Sequence, residues 1–177
     1  MKILISAFTP FNGRKSNTSL EVLKLLSSHY ETVLLETSYE RSTAQLKDII
    51  NETNPDFVIM LGESGKCDDL VIEKLAINFA HSTIPDNDGK LLKHKKIFKD
   101  GPDLIETKLD LTIFNDQFKV SYHAGTYVCN YLYFQILHEY QTRPLKSLFI
   151  HLSTKNDPRT YEGKIVNIVG LIKQQYI

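Results

Sequence analysis

Three residue types scattered along this chain could together perform acyl-transfer chemistry: a thiol, an imidazole and a carboxylate. Of the two cysteines, Cys129 follows Ala124-Gly125-Thr126 and falls in the opening turns of a predicted helix. Unpaired backbone amides and the positive end of the helix dipole favour a thiolate there. Such a nucleophile needs a base within hydrogen-bond reach, and the base needs an acceptor that orients it. Of the six histidines, His151 is the best placed, at the carboxyl end of an apolar strand flanked by Phe149, Ile150 and Leu152, where open α/β sheets gather their sites. His29, His94 and His138 lie at helix ends or in polar stretches, His123 precedes a glycine turn, and His81 follows the strand that carries Glu73. Glu73 itself interrupts an apolar strand face, where a carboxylate must find a partner or remain protonated. Each residue also has a plainer reading: a small buried hydrophobe for Cys129, a core histidine for His151, an ion pair with a lysine for Glu73.

The elements that must position these groups alternate short apolar runs with longer amphipathic ones. That pattern predicts an α/β fold, a three-layer α/β/α sandwich around a mixed, mainly parallel twisted sheet, in one domain over residues 1–177. Ile3 to Phe8 reads as the first strand. After the Pro10/Gly13 loop, Asn17 or Thr18 caps a helix running to about His29. Thr32 to Leu35 is a second strand, Arg41 to Asn51 a second helix, and Asn54-Pro55-Asp56 leads into the strand Phe57 to Leu61, which Gly62 closes. Leu70 to Phe79 reads as one strand by the alternation Val71, Glu73, Leu75, Ile77, Phe79. Ile84 to Gly89 is a turn, and the lysine-rich stretch Lys90 to Lys99 a solvated loop or hairpin. Lys119 to Tyr122 reads as a strand, Thr126 to Tyr140 as a buried helix, Ser147 to Leu152 as a last core strand, and Thr160 to Tyr176 as a closing helix.

Composition narrows the function. Twenty-one Lys+Arg balance 21 Asp+Glu, so there is no overall field for nucleic acid or an anionic membrane. A 42% hydrophobic and 24% charged content is that of a folded domain. No stretch approaches the roughly 20 apolar residues that cross a bilayer, and the amino terminus lacks a secretory signal. With two cysteines, a disulfide framework is excluded and a reducing, cytoplasmic location is expected. Cys67, His81, Cys129 and His151 have no short paired spacing for a metal, and the glycines form no dinucleotide or phosphate-binding fingerprint, so no metal and no cofactor are expected.

The words around these residues resemble one family. Phe8-Thr9-Pro10-Phe11-Asn12-Gly13, with Asn17 after it, is similar to the opening of pyroglutamyl peptidase type I, also called pyrrolidone-carboxylate peptidase. So are Asn54-Pro55-Asp56 through Gly62, Ile72-Glu73-Lys74-Leu75-Ala76-Ile77-Asn78, Ile84-Pro85-Asp86-Asn87-Asp88-Gly89, Ser121 through Asn130 with its A-G-T-Y-V-C-N word, and Phe149-Ile150-His151, all in the family's order. The resemblance implies a cysteine omega-peptidase that releases an amino-terminal pyroglutamyl residue from small peptides. Cys129 would be the nucleophile, His151 the base and then the acid, and Glu73 the group holding the imidazole. It also implies that Phe8 and Phe11 pack the flat lactam, that Asn17 supports their loop, and that Glu63 stands close to the ligand.

The chain departs from the family pattern in places. Thr83 stands where an arginine thought to assist the oxyanion is usual, Lys66-Cys67 replaces another arginine, and Glu63 a neutral residue. The stretch from Asp110 to Lys119 looks too short for the helix usual before the nucleophile strand. After His151, Leu152-Ser153 stands for V-P, and the segment that in many relatives joins subunits is reduced to Thr154 to Arg159. A tetramer is therefore not carried over, and a homo-oligomer is left open. Two alternatives remain on the same fold: an amidase for another small acyl group, and a non-catalytic protein that binds a small molecule.

Overall fold

A computed structural model describes residues 1–176. Its central sheet is laid down by β1 (Ile3–Phe8), β2 (Glu31–Leu35), β3 (Phe57–Ser64), β4 (Val71–Glu73), β7 (Lys119–Ser121) and β8 (Lys146–Ser153), in the spatial order β2-β1-β3-β8-β4-β7. The first four strands in that order are mutually parallel; β4 runs antiparallel to β8 and parallel to β7. A two-stranded sheet pairs β5 (Leu75–Ile77) with β6 (Leu104–Glu106).

Strand alternation decides the layers. Ile3, Ile5 and Ala7 of β1, with Ile59 and Leu61 of β3 and Ile150 and Leu152 of β8, pack under α1 (Thr18–Leu26) and α4 (Arg159–Tyr176). Leu4 and Phe8, Val58 and Met60, and Phe149 face the other way, against α2 (Tyr39–Thr53) and α3 (Val128–Glu139). The result is the expected α/β fold with helices on both faces of a mixed, mainly parallel sheet. Local signals set the helix ends: Asn17 caps α1 by accepting from Ser19 N–H, Ser38 caps α2 by accepting from Arg41 N–H, and α2 stops at Asn54 in the left-handed region (φ 45°) ahead of Pro55.

Several expectations are corrected. Residues 70–79 do not form one strand, because Lys74 breaks the run. Its N–H donates to Ser121 O in the main sheet (2.8 Å), while its carbonyl accepts from Thr107 N–H on the side of the small sheet (2.9 Å). The chain thus changes sheets directly after Glu73, and only Val71 shares a strand face with it. Gly62 does not close β3, which runs on to Ser64 alongside β8. The first helix ends at Leu26 and α3 begins at Val128, each shorter than the apolar pattern suggested. Strand β6 and the 3-10 turn Leu111–Phe114, capped by Asp110, were not visible in the pattern. Elements of three or four residues lie below the length at which periodicity speaks.

Candidate active site

Strand register brings the carboxylate to the imidazole. In the antiparallel β4/β8 ladder Val71 stands opposite His151 and Glu73 opposite Phe149, so Glu73 and His151 are diagonal neighbours on one face. Glu73 Oε1 lies 2.7 Å from His151 Nδ1, and both side chains are buried. The second carboxylate oxygen, Oε2, accepts from Ser121 Oγ–H. The backbone carbonyl of Glu73 accepts from the hydroxyl of the fully buried Tyr133 on α3 (3.1 Å). Among the described residues no lysine pairs with Glu73; its carboxylate is shared between His151 and Ser121.

With Nδ1 committed to Glu73, Nε2 is the ring nitrogen left for the thiol. Burial pushes the imidazolium of His151 down, but its interactions with Cys129 and with the Glu73 carboxylate act the other way and raise it from 6.5 to about 9. This setting favours the protonated form of the ring. Cys129 is the second residue of α3, and the first intrahelical bond there is Tyr131 N–H to Tyr127 O. The Cys129 amide thus precedes the bonded part of the helix and remains a donor. Gly62 makes room for the sulfur: a Cβ at that position would lie 3.0 Å from Cys129 Sγ and 2.8 Å from the Phe149 ring. The other cysteine has a different setting. Burial pushes the Cys67 thiol up, and its Sγ lies 3.6 Å from Ser64 O, a setting that disfavours the thiolate.

Cys129, His151 and Glu73 open into a cavity of about 450 Å³ that is also lined by Phe8, Phe11, Asn17 and Glu63. Every residue singled out as a site candidate therefore borders one space. Their surroundings differ. Phe8 is nearly inaccessible and belongs equally to the core, whereas Phe11 is half-buried, with its ring against Tyr127 (centroids 5.7 Å apart). Asn17 both caps α1 and donates from Nδ2 to Thr9 O (3.3 Å), tying the helix to the Phe8–Phe11 loop. The carboxylate of Glu63 is engaged on the α1 side: Oε2 accepts from Thr18 N–H at 2.8 Å and Oε1 pairs with Arg14. Lys66 and Cys67 line the cavity; Thr83 is exposed and does not.

The word Ile84 to Gly89 acts as a brace for this space. Asp86 accepts from Tyr39, Asp88 and Lys90 N–H, while Asn87 Nδ2 reaches Pro10 O (2.9 Å) and Glu36 Oε1 (2.7 Å). Residue-by-residue reading missed Ser121 and Tyr127, both of which line the cavity. It also missed Asn130, whose buried amide bonds Ile77 N–H, Ile77 O and Phe79 O and fixes β5 on α3. The signal for Asn130 was its place beside Cys129 as a polar residue within an apolar helix.

A sequence model described as pyroglutamyl peptidase matches residues 1–157. The chain belongs to the pyroglutamyl peptidase family. The pyrrolidone-carboxylate peptidase of Treponema denticola is 34% identical over 169 residues, covering 86% of this chain and 78% of its own. That of Lactobacillus helveticus is 36% identical over 168 residues, covering 86% and 83%. Among solved structures, the pyrrolidone carboxyl peptidase of Fervidobacterium islandicum superposes with a TM-score of 0.89 at 28% identity, over 98% of this chain and 99% of that one. The Thermococcus litoralis enzyme gives 0.77 at 32% identity, over 86% and 76%. Among the described residues no cluster of three or more His, Cys, Asp or Glu could hold a metal, and no helix is long and apolar enough to cross a membrane.

Proposed function

We propose that this family member hydrolyses the amide bond after an amino-terminal pyroglutamyl residue, with Cys129 as nucleophile, His151 as acid and base, and Glu73 as its orienter. The carrying observation is the Glu73–His151 contact of 2.7 Å, with the imidazolium raised to about 9 beside Cys129. The Cys129 thiolate adds to the pyroglutamyl carbonyl carbon, and the backbone N–H of Cys129 donates to the oxygen on which charge develops. His151 gives its proton to the leaving amine as the C–N bond breaks, leaving a thioester. Neutral His151 then takes a proton from water; hydroxide attacks the thioester, and pyroglutamate and the thiol are released. Glu73 keeps Nδ1 protonated and the ring in plane throughout, the task of the acid in other nucleophile–histidine–acid sites.

Phe8 and Phe11 supply flat apolar surface for the lactam ring, and Asn17 fixes the loop that carries Phe11. Glu63 supports the same loop through Arg14 and Thr18 and does not offer a free carboxylate to an uncharged ring. Two unpaired thiols bordering one cavity fit a reducing compartment, and the cytoplasm is the place of action in this reading. A fluorogenic pyroglutamyl amide tests the proposal. Wild-type protein releases the fluorophore and folded Cys129→Ala does not; equal release by both, or turnover of other acyl amides in preference to pyroglutamyl, would overturn it.

A further inference from the structure

A line of polar contacts runs back from the catalytic carboxylate to the turn that precedes the nucleophile. Ser121 Oγ donates to Glu73 Oε2 and lies 3.5 Å from the N–H of His123. His123 Nδ1 in turn accepts from Gly125 N–H (3.1 Å). Gly125 sits at φ +80°, a backbone state that suits glycine, four residues before Cys129. The same hydroxyl is 3.3 Å from His123 O, but its single proton goes to the carboxylate, where the bond is charge-assisted. The contacts therefore form a line from His151 through Glu73 to Ser121 and along the His123–Gly125 turn that precedes α3.

We propose that Ser121 is a positioning residue for the reaction, fixing the rotation of the Glu73 carboxylate so that Oε1 stays on His151 Nδ1 and coupling that carboxylate to the turn that delivers Cys129. Without the hydroxyl, Oε2 has no side-chain donor and the carboxylate turns about its last bond. The β4/β7 ladder opposes Glu73 and Ser121 directly, so the contact is built into the sheet and does not depend on a flexible side chain. The titratable groups bearing on the imidazole are Glu73 from β4 and Cys129 from α3.

The inference rests on the triad proposed above, and its test separates the two. Ser121→Ala and Ser121→Thr are assayed on a fluorogenic pyroglutamyl amide across pH, with unfolding followed to show that both variants fold. The expectation for Ser121→Ala is a kcat about 10- to 100-fold lower, the loss of one charge-assisted hydrogen bond from the transition state. KM stays within about twofold, the alkaline limb of kcat/KM moves to lower pH, and Ser121→Thr recovers most of the rate. A substrate-free arm follows His151 ring titration by NMR in Cys129→Ala and in Cys129→Ala/Ser121→Ala, where the double variant titrates at lower pH. Failure of the pyroglutamyl reaction itself leaves that arm intact. Unchanged kcat and unchanged ring titration in folded Ser121→Ala would overturn the inference.

Discussion

Replacing Gly62 by alanine adds a single methyl group at the point where the core and the nucleophile meet. Its Cβ would stand 2.8 and 2.9 Å from two atoms of the Phe149 ring and 3.0 Å from Cys129 Sγ. Unstrained carbon contacts lie at about 3.5–4.0 Å, so the ring must retreat by about 0.7–1.2 Å and the sulfur by a little less. The ring has little freedom to move: Phe149 is fully buried, with Tyr133 at 5.6 Å and Phe8 at 6.4 Å between ring centroids. Over-packing of this kind costs about 1–3 kcal/mol, and for a chain of this size each kcal/mol lowers Tm by about 2–4 °C. The kinetic effect should be larger, because the sulfur is displaced from its place in the site, and a displacement near 1 Å costs about 100-fold. Thermal unfolding and kcat/KM on a pyroglutamyl amide should therefore fall together, with kcat carrying most of the kinetic loss. A Gly62→Ala protein with wild-type Tm and activity within about threefold would show that the sheet does not hold Phe149 and Cys129 as tightly as the structure requires.

Stability should fall as pH rises through the alkaline range. His151 is raised from 6.5 to about 9 in the folded protein, so its contribution is fully present below about 6.5 and is lost as pH passes about 9. Urea midpoints at pH 6 and 9.5 measure this, and Glu73→Gln should flatten the difference. Asn130→Ala strips partners from Ile77 N–H, Ile77 O and Phe79 O in a buried setting; a loss of more than about 3 kcal/mol is expected by denaturant titration. Arg14→Ala removes the ion pair of the Glu63 carboxylate beside the cavity and leaves only Thr18 N–H on it. KM for the pyroglutamyl amide should rise several-fold with kcat little changed, and Arg14→Lys should restore it.

The parts of the fold visible in the sequence are those whose burial repeats over five or more residues. Strands β1, β3 and β8 and helices α2 and α4 show one-sided or continuous apolar patterns that local chemistry alone can produce. What escaped depends on partners distant in the chain. The break at Lys74 is invisible in the alternation from Val71 to Phe79, because it arises from bonds to Ser121 and Thr107. Gly62 resembled a strand end because glycine weakens strands; its role is to admit a sulfur 67 positions away. At the site, Cys129 and His151 could be nominated by position within an element, since helix starts and carboxyl strand ends carry their own chemistry. Glu63 lines the cavity as a site candidate should, but its partners Arg14 and Thr18 are distant in the chain, so the engagement of its carboxylate could not be read from its own neighbourhood.

The reversed direction of β4 explains why the Glu73 carboxylate needs so little structure to support it. A parallel crossover to a strand beside β8 would require a dozen or more residues before pairing, yet β4 begins seven positions after β3 ends. Running antiparallel, three residues suffice to set Glu73 diagonally across from His151 and directly opposite Ser121. The same brevity makes register the vulnerable quantity: a slip of one residue would turn Glu73 to the α1/α4 face and leave His151 without its acceptor. The sheet change at Lys74, Tyr133 donating to the Glu73 carbonyl, and Asn130 holding β5 all oppose that slip. Two of those three residues belong to α3, the helix that also carries Cys129. Nucleophile and carboxylate are thus held in common, and damage to α3 beyond its first turn should weaken the Glu73–His151 contact even where Cys129 is untouched.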